Sequence, residues 1–190
     1  MLKPFNSYIK VALAACLIMS SCAIGMDEPI VNGFTGEVTL RTESCEFAST
    51  TTNAYTSDYL VAYFTLNNTE EYLFHVSLDA NYGYQKSFAI KKGAKLYLKL
   101  RNDSVITLVN MEDATAADVI TRTTYYRLRY WSADAVFAVS VDETNKLAAS
   151  NFTGARIETD AGLRDFSISP SESKTINKLA MLTLKAASNH

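Results

Sequence analysis

The amino-acid sequence predicts a mainly β, or α+β, domain of antiparallel, sandwich-like sheets built from hairpins, with a short helix near residues 142–149 and a C-terminal helix near 170–186. Three observations predict it. From Phe34 onward, apolar and polar residues alternate with period two in one segment after another, which in a strand sends one set to a core and the other to water. Turn-forming residues separate those segments. Near the C-terminus the spacing turns helical behind Ser169-Pro170-Ser171-Glu172, a capping box with proline at the first helical position.

Taken in order, Glu37 to Thr42 reads as a first strand. In Tyr59 to Leu66, the residues Leu60, Ala62, Phe64 and Leu66 share one face, with Tyr59, Val61, Tyr63 and Thr65 on the other. Asn67-Asn68-Thr69-Glu70 turns the chain, and the return strand groups Tyr72, Phe74, Val76 and Leu78 opposite Leu73, His75 and Ser77. Asn81-Tyr82-Gly83-Tyr84 is a second turn, leading to a short strand at Ser87 to Ile90. The clearest alternation is Lys95-Leu96-Tyr97-Leu98-Lys99-Leu100-Arg101, leucines inward and cations outward, with Asn102-Asp103 as a hairpin turn into Val105 to Val109. Asn110 to Thr121 reads as a long polar loop with a helical turn in its alanine-rich part. Strands follow at Thr124 to Trp131 and at Val136 to Val141, then the short helix, capped by Asp142. A last hairpin runs from Gly154 to Thr159, turns at Asp160-Ala161-Gly162 and returns through Leu163 to Ile168. Ile176, Leu179, Ala180 and Thr183 then mark one face of the closing helix.

The N-terminus reads differently. Lys3 and Lys10 precede the apolar run Val11 to Met19, and no acidic residue occurs before Asp27. That run has the length of a signal-peptide core and falls short of the ~20 residues a membrane span needs. Met19-Ser20-Ser21-Cys22 follows, an apolar residue and two small ones before a cysteine, as in a bacterial lipobox. The expected organisation is therefore a lipoprotein signal peptide at 1–21, a lipidated tether at 22–33 beginning with Cys22, and a single β-rich domain at 34–190. The acidic pair Asp27-Glu28 in the tether is similar to the surface-export signals of lipoproteins in anaerobic Gram-negative gut bacteria.

Composition excludes several function classes. The formal net charge is −2, and cleavage of the signal removes two lysines, so the exported part is more acidic still and no nucleic-acid partner is expected. A hydrophobic content of 48% with only 7 Gly and 3 Pro supplies a core and argues against disorder. Of the 3 cysteines, Cys16 leaves with the signal and Cys22 takes the lipid, so Cys45 reads as a small buried residue. Nucleophilic catalysis usually needs a histidine, and only His75, mid-strand, and the terminal His190 exist. No Gly-x-Ser-x-Gly, His-Glu-x-x-His, Cys-x-x-Cys or glycine-rich phosphate loop occurs, so no cofactor or metal is called for. A two-carboxylate glycosidase needs no fixed spacing, and Asp79, Glu112, Asp113, Glu158 and Asp165 are its candidate acids. One constellation points to binding. Alternation in Thr124 to Trp131 places Tyr125, Arg127, Arg129 and Trp131 on one face, interleaving arginine with aromatic rings able to stack on a sugar or a partner side chain. Tyr82 and Tyr84 form a second aromatic pair at a turn.

Three blocks carry a resemblance. They are Phe34-Thr35-Gly36-Glu37, then Gly93 through Leu108, and then Ala155-Arg156-Ile157-Glu158-Thr159 with Gly162-Leu163-Arg164-Asp165 ahead of the closing helix. Their order resembles that in small exported lipoproteins of unassigned function from anaerobic Gram-negative gut bacteria, over roughly residues 34–185. The resemblance implies an orphan domain and carries over no activity or site residue. The expectation from sequence is thus a lipid-anchored protein of the cell envelope, at the outer membrane. It would act as a non-enzymatic binding or structural module for a protein or glycan partner. A glycan- or peptide-acting hydrolase, or an accessory subunit, is the alternative.

Overall fold

A computed structural model describes residues 24–53, 56–68, 70–81, 87–122 and 127–189. The mainly β, α+β class is observed: one antiparallel sheet curls into a half-barrel, and two helices accompany it. The chain opens with β1 (Ile30–Val31) and β2 (Val38–Arg41), then makes the long meander β3 (Cys45–Asn53), β4 (Thr56–Asn67) and β5 (Glu71–Asn81). After β6 (Ala89–Ile90) come the hairpin β7 (Lys95–Leu100) and β8 (Val105–Val109), then β9 (Ala114–Thr115), β10 (Ala117–Arg122) and β11 (Arg127–Val139). Helix α1 (Val141–Ala149), the hairpin β12 (Phe152–Thr159) and β13 (Gly162–Ser167), and helix α2 (Pro170–Ser188) complete the domain. The sheet order is β10-β11-β5-β4-β3-β13-β12-β7-β8, with β1 and β2 attached beside β4 and the small pair β6-β9 apart.

The alternations read from sequence fall as expected. Leu60, Ala62, Phe64 and Leu66 of β4 and Tyr72, Phe74, Val76 and Leu78 of β5 are all buried and meet across the pair, Phe64 against Phe74 at 4.7 Å between ring centroids. Leu96 and Leu98 of β7 join them from the far half of the sheet. From α2, Ile176, Leu179, Ala180 and Thr183 seal the open side of the curl, and each fully buried aliphatic side chain contributes ~1.5–3 kcal/mol. Asp58 is a buried acid, and Arg164 of β13 reaches it at 3.9 Å. Among the described residues no helix is long and apolar enough to cross a membrane.

The curl is held at a seam. Asn110, which follows β8, bridges Phe137 of β11, and its side chain is buried (1% exposed). Its Oδ1 accepts from the Val136 amide at 3.0 Å, while its Nδ2 donates to the carbonyls of Ile90 (3.3 Å) and Lys91 (3.1 Å). One amide side chain therefore ties the ends of both halves of the sheet to β6.

Several expectations need correction. The loop expected over 110–121 contains β9 and β10, with no helical turn. β10 is the sheet's outermost strand, bonded on one side only, and an edge tolerates the polar residues that suggested a loop. The two strands expected at Thr124–Trp131 and Val136–Val141 are one strand of 13 residues from Arg127, because Ser132 and Asp134 bond across to Asp79 and Ser77 instead of turning the chain. β3 was not anticipated: a bulge between Glu46 and Ala48 buries the consecutive Phe47 and Ala48, which breaks the alternation. Helix α1 is capped by Ser140, not Asp142. The Ser140 hydroxyl accepts from the Glu143 amide, and the Glu143 carboxylate accepts from the Ser140 amide. Finally, part of the 22–33 segment expected as a short tether packs on the domain, from Ile24 onward. Ile24 is buried, Met26 bridges Thr42, and the Asp27 amide donates to the Arg41 carbonyl.

Candidate binding groove

Leu96, Leu98, Ala155, Ile157 and Phe166 point into the core, so alternation turns Tyr97, Lys99, Arg156, Glu158, Leu163 and Asp165 outward across β7, β12 and β13. Between them lies an open groove of about 400 Å³. Gly154 is among its lining residues, opposite Lys99 on one side and Ser167 on the other, where the pairing of β12 shifts by a bulge. A Cβ at this position would sit 3.2 Å from the carbonyl oxygen of Phe166, so glycine lets β12 and β13 close up. Val105 and Leu163, both more than half exposed, supply apolar rims.

The groove's polar groups are fixed by one another. Arg156 holds Asp165 with two parallel bonds, Nε to Oδ1 at 2.5 Å and Nη2 to Oδ2 at 3.0 Å. The Tyr97 hydroxyl donates to Glu158 Oε1 at 2.8 Å, and the Lys95 amide donates to the other oxygen of the same carboxylate at 3.0 Å. Lys99 pairs with Asp103 at the hairpin turn, 2.8 Å. The hydrogen bond from Arg156 holds the Asp165 carboxyl below the usual range, and the bond to Glu158 raises the Tyr97 phenol. At neutral pH Asp165 is thus an acceptor and not a proton donor. Lys99 and Arg156 balance Glu158 and Asp165, so the walls carry no net charge. Flat acceptors and donors beside a tyrosine ring and aliphatic rims suit an uncharged, hydroxyl-rich ligand.

Sequence reasoning named Glu158 and Asp165 only as candidate acids and missed Tyr97, Arg156 and Gly154 as parts of a site. A lone glycine inside an otherwise regular strand was the available signal, since it marks a bulge or a close backbone approach.

The other candidates are dispersed. Asp79 accepts from the Ser132 hydroxyl at 2.6 Å, and burial raises its carboxyl above the ordinary value. Asp113 accepts from the Lys92 amide at 2.7 Å, and Glu112 lies beside it in the exposed turn. His75 is half-buried on the outer face of β5, stacked on Tyr63 at 4.3 Å and 8°, with Nε2 2.9 Å from the Thr65 hydroxyl. Arg41 covers Tyr63 at 3.9 Å. Ser77, two residues on, donates to Asp134, so serine, histidine and acid do not form a relay. Among the described residues no cluster of His, Cys, Asp or Glu is arranged to hold a metal.

Of the aromatic–arginine face, Trp131 is half-buried and packs against the core, opposite Ala80 of β5 and Asp118 of β10. Arg127 and Arg129 are placed by backbone register, opposite Arg122 and Ile120, and Tyr125 lies outside the described residues. Tyr82, Tyr84 and Cys22 also lie outside them. Cys45 is buried in the core.

Comparison of the chain with family models, with curated proteins and with solved structures returns no match.

Proposed function

We propose that this chain is a lipid-anchored protein of the cell envelope, held to the outer membrane through Cys22, whose domain is a non-enzymatic binding module for a neutral glycan. Met19-Ser20-Ser21-Cys22 after a short apolar run supports the anchor. The observation that carries the binding reading is the open groove that Gly154 helps to line, with charge-balanced walls and polar groups already held in place by Arg156–Asp165 and Tyr97–Glu158. Preorganised groups lose little freedom on meeting a ligand, and that is where affinity for hydroxyls comes from.

The test is calorimetric titration of the purified domain with a panel of neutral oligosaccharides. At least one should bind, and Arg156→Ala and Tyr97→Ala should each abolish binding while the melting temperature moves little, since both side chains lie on the outer face. Binding of none, or binding indifferent to both changes, sinks the reading. A short peptide that binds in their place would redirect it to a protein partner. A second reading, a glycan hydrolase, is favoured by one observation, that Glu158 and Asp165 share the groove. It predicts turnover of the bound oligosaccharide that Glu158→Gln eliminates.

A further inference from the structure

We propose that the β1–β2 hairpin is a second membrane contact, which lays the domain on a zwitterionic lipid surface and fixes its tilt; this rests on the anchoring of Cys22 proposed above. Three observations carry it. The first is the leash. Only Ala23 stands between Cys22 and Ile24, and Ile24 is 8% exposed, so a lipid on Cys22 leaves the domain no room to stand off from the bilayer. Whatever lies along the hairpin that begins there is brought to the headgroups.

The second is what lies there. Ile30 and Val31 are adjacent and so face opposite sides of the hairpin, yet they are 59% and 60% exposed, and Phe34 at the tip is wholly exposed. The hairpin therefore projects beyond the core with apolar residues on both faces and at its end. Seven residues separate Met26, bridged to Thr42, from Phe34, so the eight steps between them span at most about 26 Å at ~3.3 Å per residue. Lipid and ring can rest on one plane.

The third is that the display is built. Asn32 Oδ1 accepts from the amides of Phe34 (3.0 Å) and Thr35 (3.3 Å), and the Asn32 carbonyl accepts from Gly36 at 2.8 Å, where the backbone takes φ +75°. Val38 and Asn68 exchange two bonds at the base, 2.9 and 3.1 Å. The phenyl ring is thus presented by an ordered turn. Charge selects the lipid. No Lys or Arg occurs from Ile24 to Leu40; Asp27 is paired with Arg41 at 3.7 Å, and Glu28 and Glu37 leave the hairpin acidic, so an anionic surface would repel this segment and a zwitterionic one accepts it.

The experiment uses the processed full chain, with the acyl mass on Cys22 confirmed by mass spectrometry, in phosphatidylcholine–phosphatidylethanolamine vesicles. A fluorescent label is placed at Thr35→Cys, beside the intact ring, or at Leu163→Cys in the groove; buried Cys45 does not react. Nitroxide-bearing lipid should quench the label at 35 and spare the one at 163, and adding Phe34→Ser should remove the quenching without altering the melt. Acylated protein whose label at 35 stays as open to iodide as in the released Cys22→Ala domain overturns the membrane contact and leaves the anchor standing. An unacylated Cys22 overturns the anchor, and the contact with it. Shielding of position 35 that appears without lipid and grows with protein concentration would assign the hairpin to a second copy of the chain and also overturn the proposal.

Discussion

The two outer faces of the curled sheet obey the same alternation and end in different surfaces. On β2, β4, β5 and β11 the outward residues are used on one another. Arg41 covers Tyr63, Tyr63 stacks on His75, His75 meets Thr65, and Ser77 and Ser132 bond to Asp134 and Asp79. On β7, β12 and β13 a tyrosine, an arginine and two acids are equally well paired, but they line a groove that also includes Gly154, a position with no side chain. Paired polar groups alone do not make a site. A groove beside them is needed as well, and the one lined by Gly154 lies on this face.

The largest expected effect is on what joins the two faces. Asn110→Ala should unfold the domain more readily by about 3 kcal/mol, because it removes the acceptor of the part-buried Val136 amide (~1–3 kcal/mol) and the donor to the Ile90 and Lys91 carbonyls, of which Lys91 keeps the Ala94 amide. Urea denaturation measures it; a loss under about 1 kcal/mol would show that the faces hold together without the seam. Next comes Trp131, which packs the core from the β11 side. Trp131→Ala should cost about 2–3 kcal/mol, below the ~3–5 of a fully buried ring, with iodide quenching weak in the wild type and glycan binding unchanged. If binding vanished while the melt stayed put, the site would belong to the face of Tyr125, Arg127, Arg129 and Trp131, and the comparison would reverse.

Filling the groove is the direct test of it. Gly154→Val should reduce glycan affinity at least about tenfold, or ~1.4 kcal/mol, and cost ~1–3 kcal/mol of stability, because the new side chain presses on the Phe166 backbone carbonyl. Unchanged affinity would mean that the groove is not where ligand sits. The smallest effect concerns the self-stacked face. Burial lowers the His75 pKa from 6.5, so on acidification the unfolded chain takes up this proton first. Stability is therefore full above the unfolded value and falls as the pH drops through it toward the lower folded one. His75→Gln should flatten that slope in urea midpoints compared at about pH 7.5 and 5.5, with no effect on glycan binding.

Most of the fold could be read because local chemistry decided it. Leu96 and Leu98 alternate in a regular strand, and Ser169 with Glu172 caps a helix whose Ile176, Leu179 and Ala180 must be buried somewhere. What could not be read depends on partners far away in the chain. Ser132 and Asp134 look like turn residues until Asp79 and Ser77 lie across from them, and β10 reads as a loop because it is stabilised by β11 rather than by its own apolar side chains. Phe47 and Ala48 hid a strand because a bulge changes the period locally. The groove was half legible. Alternation already turned Lys99 outward, but the sequence gives no sign that Arg156 would reach Asp165, 9 residues away across a hairpin, in a groove that a glycine also lines.

The order of elements along the chain also sets a timetable. Helix α2 is the last element, and its Ile176, Leu179 and Ala180 close a core whose other walls are all made earlier. Until it packs, the strands before it keep an apolar side open to water, so strands and helix complete one core together.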